Sequence, residues 1–322
     1  MPTSSVRSYR YVTADVFTDR QFGGNPLAVV LGAEGLGDAE MLALTREFNY
    51  SETTFVLPPE RGGAARVRIF TPGGEVPFAG HPTVGTAHVL FAVGALGADA
   101  GETTVVLEEG VGDVAVRVVV APGGSAELGG VEPAYAELTA AQAPAERPAP
   151  AAGLLAEALG LGGDDLLGGA YAPAVASCGL PFTLVPVRDR AAVARARVRA
   201  EAWERAFAGA GTRDSAGAMV FAVEGGDAAA GGGQAVRARV FVPELAVPED
   251  PATGSACAAL GGYLAARAAG DGALAWRVAQ GVEMGRPSRV DVRVERSGGR
   301  VTGVRVGGSS VVVCDGRVRV RD

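Results

Sequence analysis

The feature that most constrains this chain's fold is one pattern that occurs twice. Arg68-Ile69-Phe70-Thr71-Pro72, a short Pro/Glu segment and Ala79-Gly80-His81 lead into an apolar helix. They are echoed by Arg239-Val240-Phe241-Val242-Pro243, then Thr253-Gly254-Ser255 and a second helix of small residues. From Arg68 to Gly80 is 12 residues, and from Arg239 to Gly254 is 15. Such a repeat predicts two lobes of one design, each a β layer wrapped around an apolar helix and related by a pseudo-twofold axis. The competing reading is chance likeness of one motif pair. Length agrees with two lobes, because 322 residues exceed the roughly 250 at which single cores stop growing.

The rest of the chain reads mostly as β structure. Tyr9 to Leu31 alternates and then runs apolar, with Gly23-Gly24-Asn25 as a turn. Met41, Leu42, Leu44 and Phe48 predict a helix from Asp38 to Phe48 with Asp38 as its cap. SETTFVL and ARVRIFTP read as strands, His81 to Leu96 as a buried helix with Pro82 in its first turn, and the tail from Ser288 onward as short strands. Ala136 to Gly169, rich in Ala, Pro and Gly, reads as a linker, with a lobe boundary near residues 121 to 130. Glu224 to Gln234, with its glycine run, reads as a loop.

Composition narrows the chemistry. All 29 basic residues are arginine, so no lysine amine is available for an aldimine or a Walker A loop. A net charge of −7 argues against nucleic acid and for a small-molecule partner. Cys178, Cys257 and Cys314 form neither a disulfide framework nor a metal motif. No apolar run approaches a membrane span and no leader is evident, so a cytoplasmic protein without membrane partners is expected.

Two helix N-termini facing one cleft would offer free N–H groups and partial positive charge to a carboxylate, with Gly80 and Gly254 allowing close approach. The plainer alternative is two ordinary buried helices. Glu52, among apolar and hydroxylic neighbours, is a candidate general acid or base, or else a solvated strand-edge glutamate. His81 and His88 lie about 10 Å apart along one helix, so they cannot share a metal, and no zinc site is expected. His81 reads as functional and His88 as packing. Glu249 and Asp250 read as helix-dipole partners or turn charges, Ser255 as a capping hydroxyl outside any GxSxG elbow, and Cys257 as a small buried residue.

Five segments in register, Gly24-Asn25-Pro26-Leu27-Ala28-Val29, Ser51-Glu52-Thr53-Thr54-Phe55, Pro77-Phe78-Ala79-Gly80-His81-Pro82-Thr83, Glu249-Asp250-Pro251-Ala252-Thr253-Gly254-Ser255-Ala256 and Gln280-Gly281-Val282-Glu283-Met284-Gly285-Arg286-Pro287-Ser288, resemble the PhzF-like (phenazine biosynthesis) isomerase family. The resemblance implies the diaminopimelate-epimerase-like α+β fold, with a curled, mostly antiparallel sheet around a central helix in each lobe. It places an N-terminal lobe at 1–126, a C-terminal lobe at 127–311, and a last strand, 312–322, returning to the first. It implies a homodimeric, cofactor-free and metal-free isomerase of a dihydro-hydroxyanthranilate-like amino carboxylate, of use in antibiotic biosynthesis. Glu52 would shuttle the proton while His81, Asp250 and Ser255 orient substrate and assist protonation. Gly80 and Gly254, with Ala79 and Thr253 beside them, would hold the substrate carboxylate. Ala79 and Thr253 also stand where related epimerases carry paired thiols, which disfavours a two-thiol racemase. The alternatives are a hydrolase using Ser255 and His81, and a carboxylate-binding protein without catalysis.

Overall fold

The computed structural model describes residues 6–97, 100–122, 128–208, 215–225, 228, 233–243 and 247–321. The chain forms two compact units, residues 1–138 with 308–322, and residues 139–307. The expected boundary at 126/127 lies outside the described residues.

In chain order the first unit runs β1 (Val6–Val16), β2 (Asn25–Leu31), α1 (Asp38–Phe48), β3 (Glu52–Leu57), β4 (Ala65–Thr71), β5 (Gly74–Val76), α2 (Gly80–Ala92), β6 (Gly101–Glu109), β7 (Gly112–Val120) and β8 (Tyr135–Thr139). The second runs β9 (Ala145–Pro148), α3 (Ala152–Ala158), β10 (Ala174–Ser177), β11 (Pro181–Pro186), α4 (Arg190–Arg195), α5 (Ala200–Phe207), β12 (Ala218–Val223), β13 (Gln234–Val242), β14 (Val247–Asp250), α6 (Gly254–Arg267), β15 (Gly272–Gln280), β16 (Ser288–Ser297) and β17 (Arg300–Gly308). The last strand, β18 (Ser310–Arg321), pairs antiparallel with β1.

The repeat extends through the whole topology. In the first unit β18, β1 and β2 pair antiparallel, β2 and β3 parallel, β3 and β4 antiparallel, β4 and β6 parallel, and β6, β7 and β8 antiparallel, with β5 folded back on β4. The second unit repeats this strand for strand from β9 to β17, with β14 in the place of β5. Every residue of α2 is buried, and strands β1, β2, β3, β6, β7 and β18 all pack on it. α6 is likewise packed by β10, β11, β15 and β16. A helix with no polar face has to be enclosed on all sides, which is why each sheet curls.

An arginine clamp recurs in both units. Arg68 reaches Glu75 through Nε and Nη2 at 2.7 and 2.6 Å, and lies 5.1 Å over the Phe70 ring. Arg239 reaches Glu249 at 2.7 and 2.8 Å and lies 5.0 Å over Phe241. Forked guanidinium–carboxylate pairs of this kind fix geometry as well as adding energy. From each glutamate the chain reaches its helix through the same number of residues, Glu75 to Gly80 and Glu249 to Gly254. The three extra residues of the second copy therefore lie between its arginine and its glutamate.

Three readings need correction. The supposed linker at 136–169 carries β8, β9 and α3, and Leu155 and Leu159 are fully buried against Trp203, Val185 and Val193. Two leucines set among small residues suffice to anchor it. Asp38 does not cap α1; Gly37 does, its N–H donating to Glu40 at 2.9 Å, while Asp38 pairs with Arg68. Ser255 does not cap α6, whose N-cap residue is Thr253. The glycine run around 231–233 falls largely outside the described residues.

Small residues let the central helices touch the sheet. A Cβ on Gly85 would lie 2.5 Å from Val16 Cγ2 and 2.6 Å from Leu27 Cδ2, inside any real contact distance. Gly85→Ala is expected to destabilise the protein by about 1–3 kcal/mol through overpacking, measured as a fall in the urea midpoint; an unchanged midpoint would refute this packing.

Candidate functional site

Each unit brings part of the predicted site together, and each part is built around the first turn of its central helix.

In the first unit, β2 and β3 are parallel neighbours with Leu27 opposite Glu52. Their pairing sets Asn25, Ser51 and Glu52 at one end of the sheet, where α2 begins. His81, the second residue of α2, is buried at 4% exposure. Its Nδ1 lies 3.3 Å from Asn25 Nδ2, and Asn25 Oδ1 accepts from Ser51 Oγ at 3.0 Å. With the amide so oriented, Asn25 donates to Nδ1, and the ring proton belongs on Nε2. Nε2 lies 3.6 Å from Glu52 Oε2, whose side chain is 18% exposed. Burial pushes the His81 pKa down to about 3, so the imidazole is neutral at physiological pH and presents a neutral N–H towards the carboxyl. The helix starts without a side-chain cap, since Ala79 has none to give. Its leading N–H groups, at Gly80 and His81, therefore form an anion-favouring end.

In the second unit, Asp250 ends β14 at 7% exposure and accepts from Thr253 Oγ1 through Oδ2. The hydroxyl of Thr253 is thereby turned away from capping α6, which also begins without a side-chain cap. The fully buried Gln280 clasps this turn. Its Nε2 donates to Asp250 O at 2.7 Å and to Thr253 Oγ1 at 3.0 Å, while Oε1 accepts from Thr253 N at 3.2 Å. Ser288 Oγ donates to Pro251 O at 2.7 Å. Gly281, at φ +70°, passes so close that a Cβ would sit 2.6 Å from the same carbonyl oxygen. Ser255 follows Gly254 in the first turn of α6, half-buried.

Aligned on the clamp glutamates, the two copies match without a gap, Glu75 to His81 against Glu249 to Ser255. Val76 of the first then stands where the second has Asp250, and His81 stands where it has Ser255. Glu249 is taken by Arg239, which leaves Asp250 as the carboxyl at the helix start. Cys257, the thiol next along α6, is fully buried and pushed well above its ordinary pKa by burial and by the charge of Asp250, so it is held as an unreactive thiol. His88 is buried and neutral, lowered to about 4 by burial.

Sequence reasoning missed Asn25, Ser51, Gln280 and Ser288 as positioning residues. Each stood inside a quoted motif, but its task is a contact with a residue distant in sequence, which motif spacing does not reveal.

Comparison with known proteins agrees with the motifs. Residues 14–316 match the model of the phenazine biosynthesis-like protein family. An uncharacterised isomerase of Mesorhizobium japonicum is 37% identical, covering 97% of this chain and 99% of its own. The trans-2,3-dihydro-3-hydroxyanthranilate isomerase of Pseudomonas aeruginosa is 33% identical, covering 96% and 99%. The crystal structure of a PhzF-family phenazine biosynthesis protein from Bacillus anthracis superposes with a TM-score of 0.82 at 25% identity, over 97% of this chain and 99% of that one. A family model and relatives that match nearly the whole chain place this protein in the phenazine biosynthesis-like (PhzF) family of isomerases.

Proposed function

We propose that this protein is a cofactor-independent isomerase that moves a proton between carbons of a small unsaturated amino carboxylate resembling trans-2,3-dihydro-3-hydroxyanthranilate, the compound named for its Pseudomonas aeruginosa relative. The observation that carries the reading is the proximity of the two groups in the first unit, His81 Nε2 lying 3.6 Å from Glu52 Oε2 at the uncapped start of a buried helix.

In this reading Glu52 removes a proton from a carbon alpha or vinylogous to an activating group. The electron pair of the broken C–H bond enters the conjugated system, and a new C–H bond forms at another carbon as Glu52 returns the proton. Substrate and product have the same atoms and electrons, so the reaction needs no redox partner. The neutral His81 Nε2–H steadies the carboxylate without competing for its proton, because imidazole is hard to protonate there. Asp250 and Ser255 orient the substrate and assist protonation. The leading N–H groups at Gly80 and Gly254, beside Ala79 and Thr253, receive the substrate carboxylate. A serine hydrolase would need His81 as base, and an imidazole this reluctant to accept a proton is ill suited to that task. The reading extends to a cytoplasmic homodimer.

Incubation in D₂O with trans-2,3-dihydro-3-hydroxyanthranilate and a panel of related carboxylates, followed by NMR, should show isomerisation with deuterium uptake at carbon. Glu52→Gln should lower the rate by about 10²–10⁴-fold, the usual worth of a positioned acid/base, with substrate binding retained. A Glu52→Gln protein that turns over at the wild-type rate would sink the mechanism.

His81 and His88 are the two histidines of the sequence, and both are held neutral, at about 3 and about 4. Their imidazole resonances are expected to stay unchanged from pH 8 to pH 5. A folded pKa below the ordinary 6.5 means that the unfolded chain gains protons first as pH falls, so these residues lower stability progressively below about pH 6.5. Histidine NMR across that range checks the charge state, and a midpoint near 6.5 for His81 would contradict its proposed role.

A further inference from the structure

A second buried carboxyl stands beside the same helix start, and the proposed mechanism does not use it. Glu109 ends β6 at 4% exposure. Its Oε1 lies 2.6 Å from Thr83 Oγ1, and that hydroxyl lies 2.8 Å from Ala79 O, the carbonyl at which α2 begins. A hydroxyl carries one hydrogen, so it cannot donate to both oxygens. If Glu109 were ionised, Thr83 would have to donate to it. A charge would then sit in the core with its second oxygen, Oε2, buried and without a hydrogen-bond partner among the described residues. A neutral carboxylic acid frees the hydroxyl's hydrogen and removes the charge, so that Oε2 is left as an uncharged carbonyl oxygen, which is far less costly to bury. The acid donates to Thr83 Oγ1, and Thr83 donates onward to Ala79 O.

We propose that Glu109 is a protonated positioning residue whose hydrogen, relayed through Thr83, fixes the first turn of α2 and so the placement of Gly80 and His81. The same hairpin grips the preceding loop. Val111 N–H donates to Pro77 O at 2.9 Å, and Gly110 passes so close to Pro77 that a Cβ would lie 2.9 Å from its Cα. Hairpin and carboxylic acid thus hold the segment Pro77 to Ala79 at two points.

Among the described residues, no charge on the elements packed against β6 answers an ionised Glu109; on β4, Arg66 pairs with Glu60 and Arg68 with Glu75. Glu108, its neighbour on β6, is held by the backbone N–H groups of Glu60, Arg61 and Gly63. On β7, Asp113 pairs with Arg61, while Arg117 pairs with Glu102 and Glu137. On β5, Glu75 is taken by Arg68, and the titratable residues of α2, His81 and His88, are neutral. Burial accordingly pushes the Glu109 carboxyl up to about 8.

The inference about activity rests on the proposed function, but the charge of Glu109 can be read without it. In ¹³C NMR of the full chain, one glutamate carboxyl should remain neutral at pH 7, titrate near 8, and be missing from Glu109→Gln. A folded pKa raised above the ordinary value stabilises the protein below about pH 4.5 and loses that contribution as pH rises to about 8. The Tm of wild type should therefore fall relative to Glu109→Gln across that interval. Where turnover is measured, Glu109→Gln, which still donates to Thr83, should stay within about twofold of wild type at pH 7 and lack the wild-type fall in kcat above pH 8. Glu109→Ala should lose about 10- to 100-fold, the scale of a small misplacement at a reacting centre. A Glu109 carboxyl that titrates at its ordinary value, or an identical alkaline limb in wild type and Glu109→Gln, would overturn the proposal. Should Glu109→Ala fail to fold, the titration and the Gln variant still decide it. Absence of turnover with every compound would count against the proposed substrate class while leaving the carboxyl titration to judge Glu109.

Discussion

Burial of α2 along its whole length is the constraint on which the first unit depends. A helix with no solvent face makes charged side chains at its start costly, while the leading N–H groups of α2 stay uncapped. Asn25, Thr83 and Glu109 gather around the opening turn, each in a contact that leaves the group neutral. The same cost explains the neutral His81. The enclosure that makes the helix stable makes a charged imidazole costly, and the chain uses this to present an N–H donor that keeps its proton.

The second unit solves the same problem with other residues. Gln280 supplies three hydrogen bonds to the turn before α6, where the first unit relies on Asn25 and Ser51 from its β2–β3 edge. The arginine clamps are the shared frame. Arg68 and Arg239 each lie over a phenylalanine two residues on and hold a glutamate five residues before the helix. With the frame kept, the chemistry was free to diverge. Val76 and His81 in one copy correspond to Asp250 and Ser255 in the other, so equivalent positions carry different functional groups.

Much of this was legible beforehand, for identifiable reasons. The repeat was visible because RIFTP and RVFVP keep the clamp arginine, the aromatic under it and the proline that ends the strand. Helix α1 was legible from its apolar spacing, although its cap was read one residue late, at Asp38 instead of Gly37. The linker reading of 136–169 failed because Leu155 and Leu159 are too few to show a period, though they fill a core with Trp203. Capping was misassigned at Asp38 and Ser255 because residue type was taken as the signal, whereas Asp38 is drawn off by Arg68 and Thr253 by Asp250. Glu109 gave no signal at all. A glutamate ending a strand before Gly reads as a solvated turn, and its burial comes from a hairpin folding back over Pro77.

The pairing of β18 with β1 has a consequence for how the molecule is made. Arg321 of β18 lies opposite Val6 of β1, so the first and last of the described strands are neighbours in one sheet. The second unit, residues 139–307, is contiguous and has all its strands once that stretch has left the ribosome. The first unit, although synthesised earlier, waits for the last strand, and until then β1 offers an unpaired edge. Translation thus finishes the later half before the earlier one. A ribosome that stops short of β18 releases a chain whose first unit still has an open edge, available for pairing with another copy.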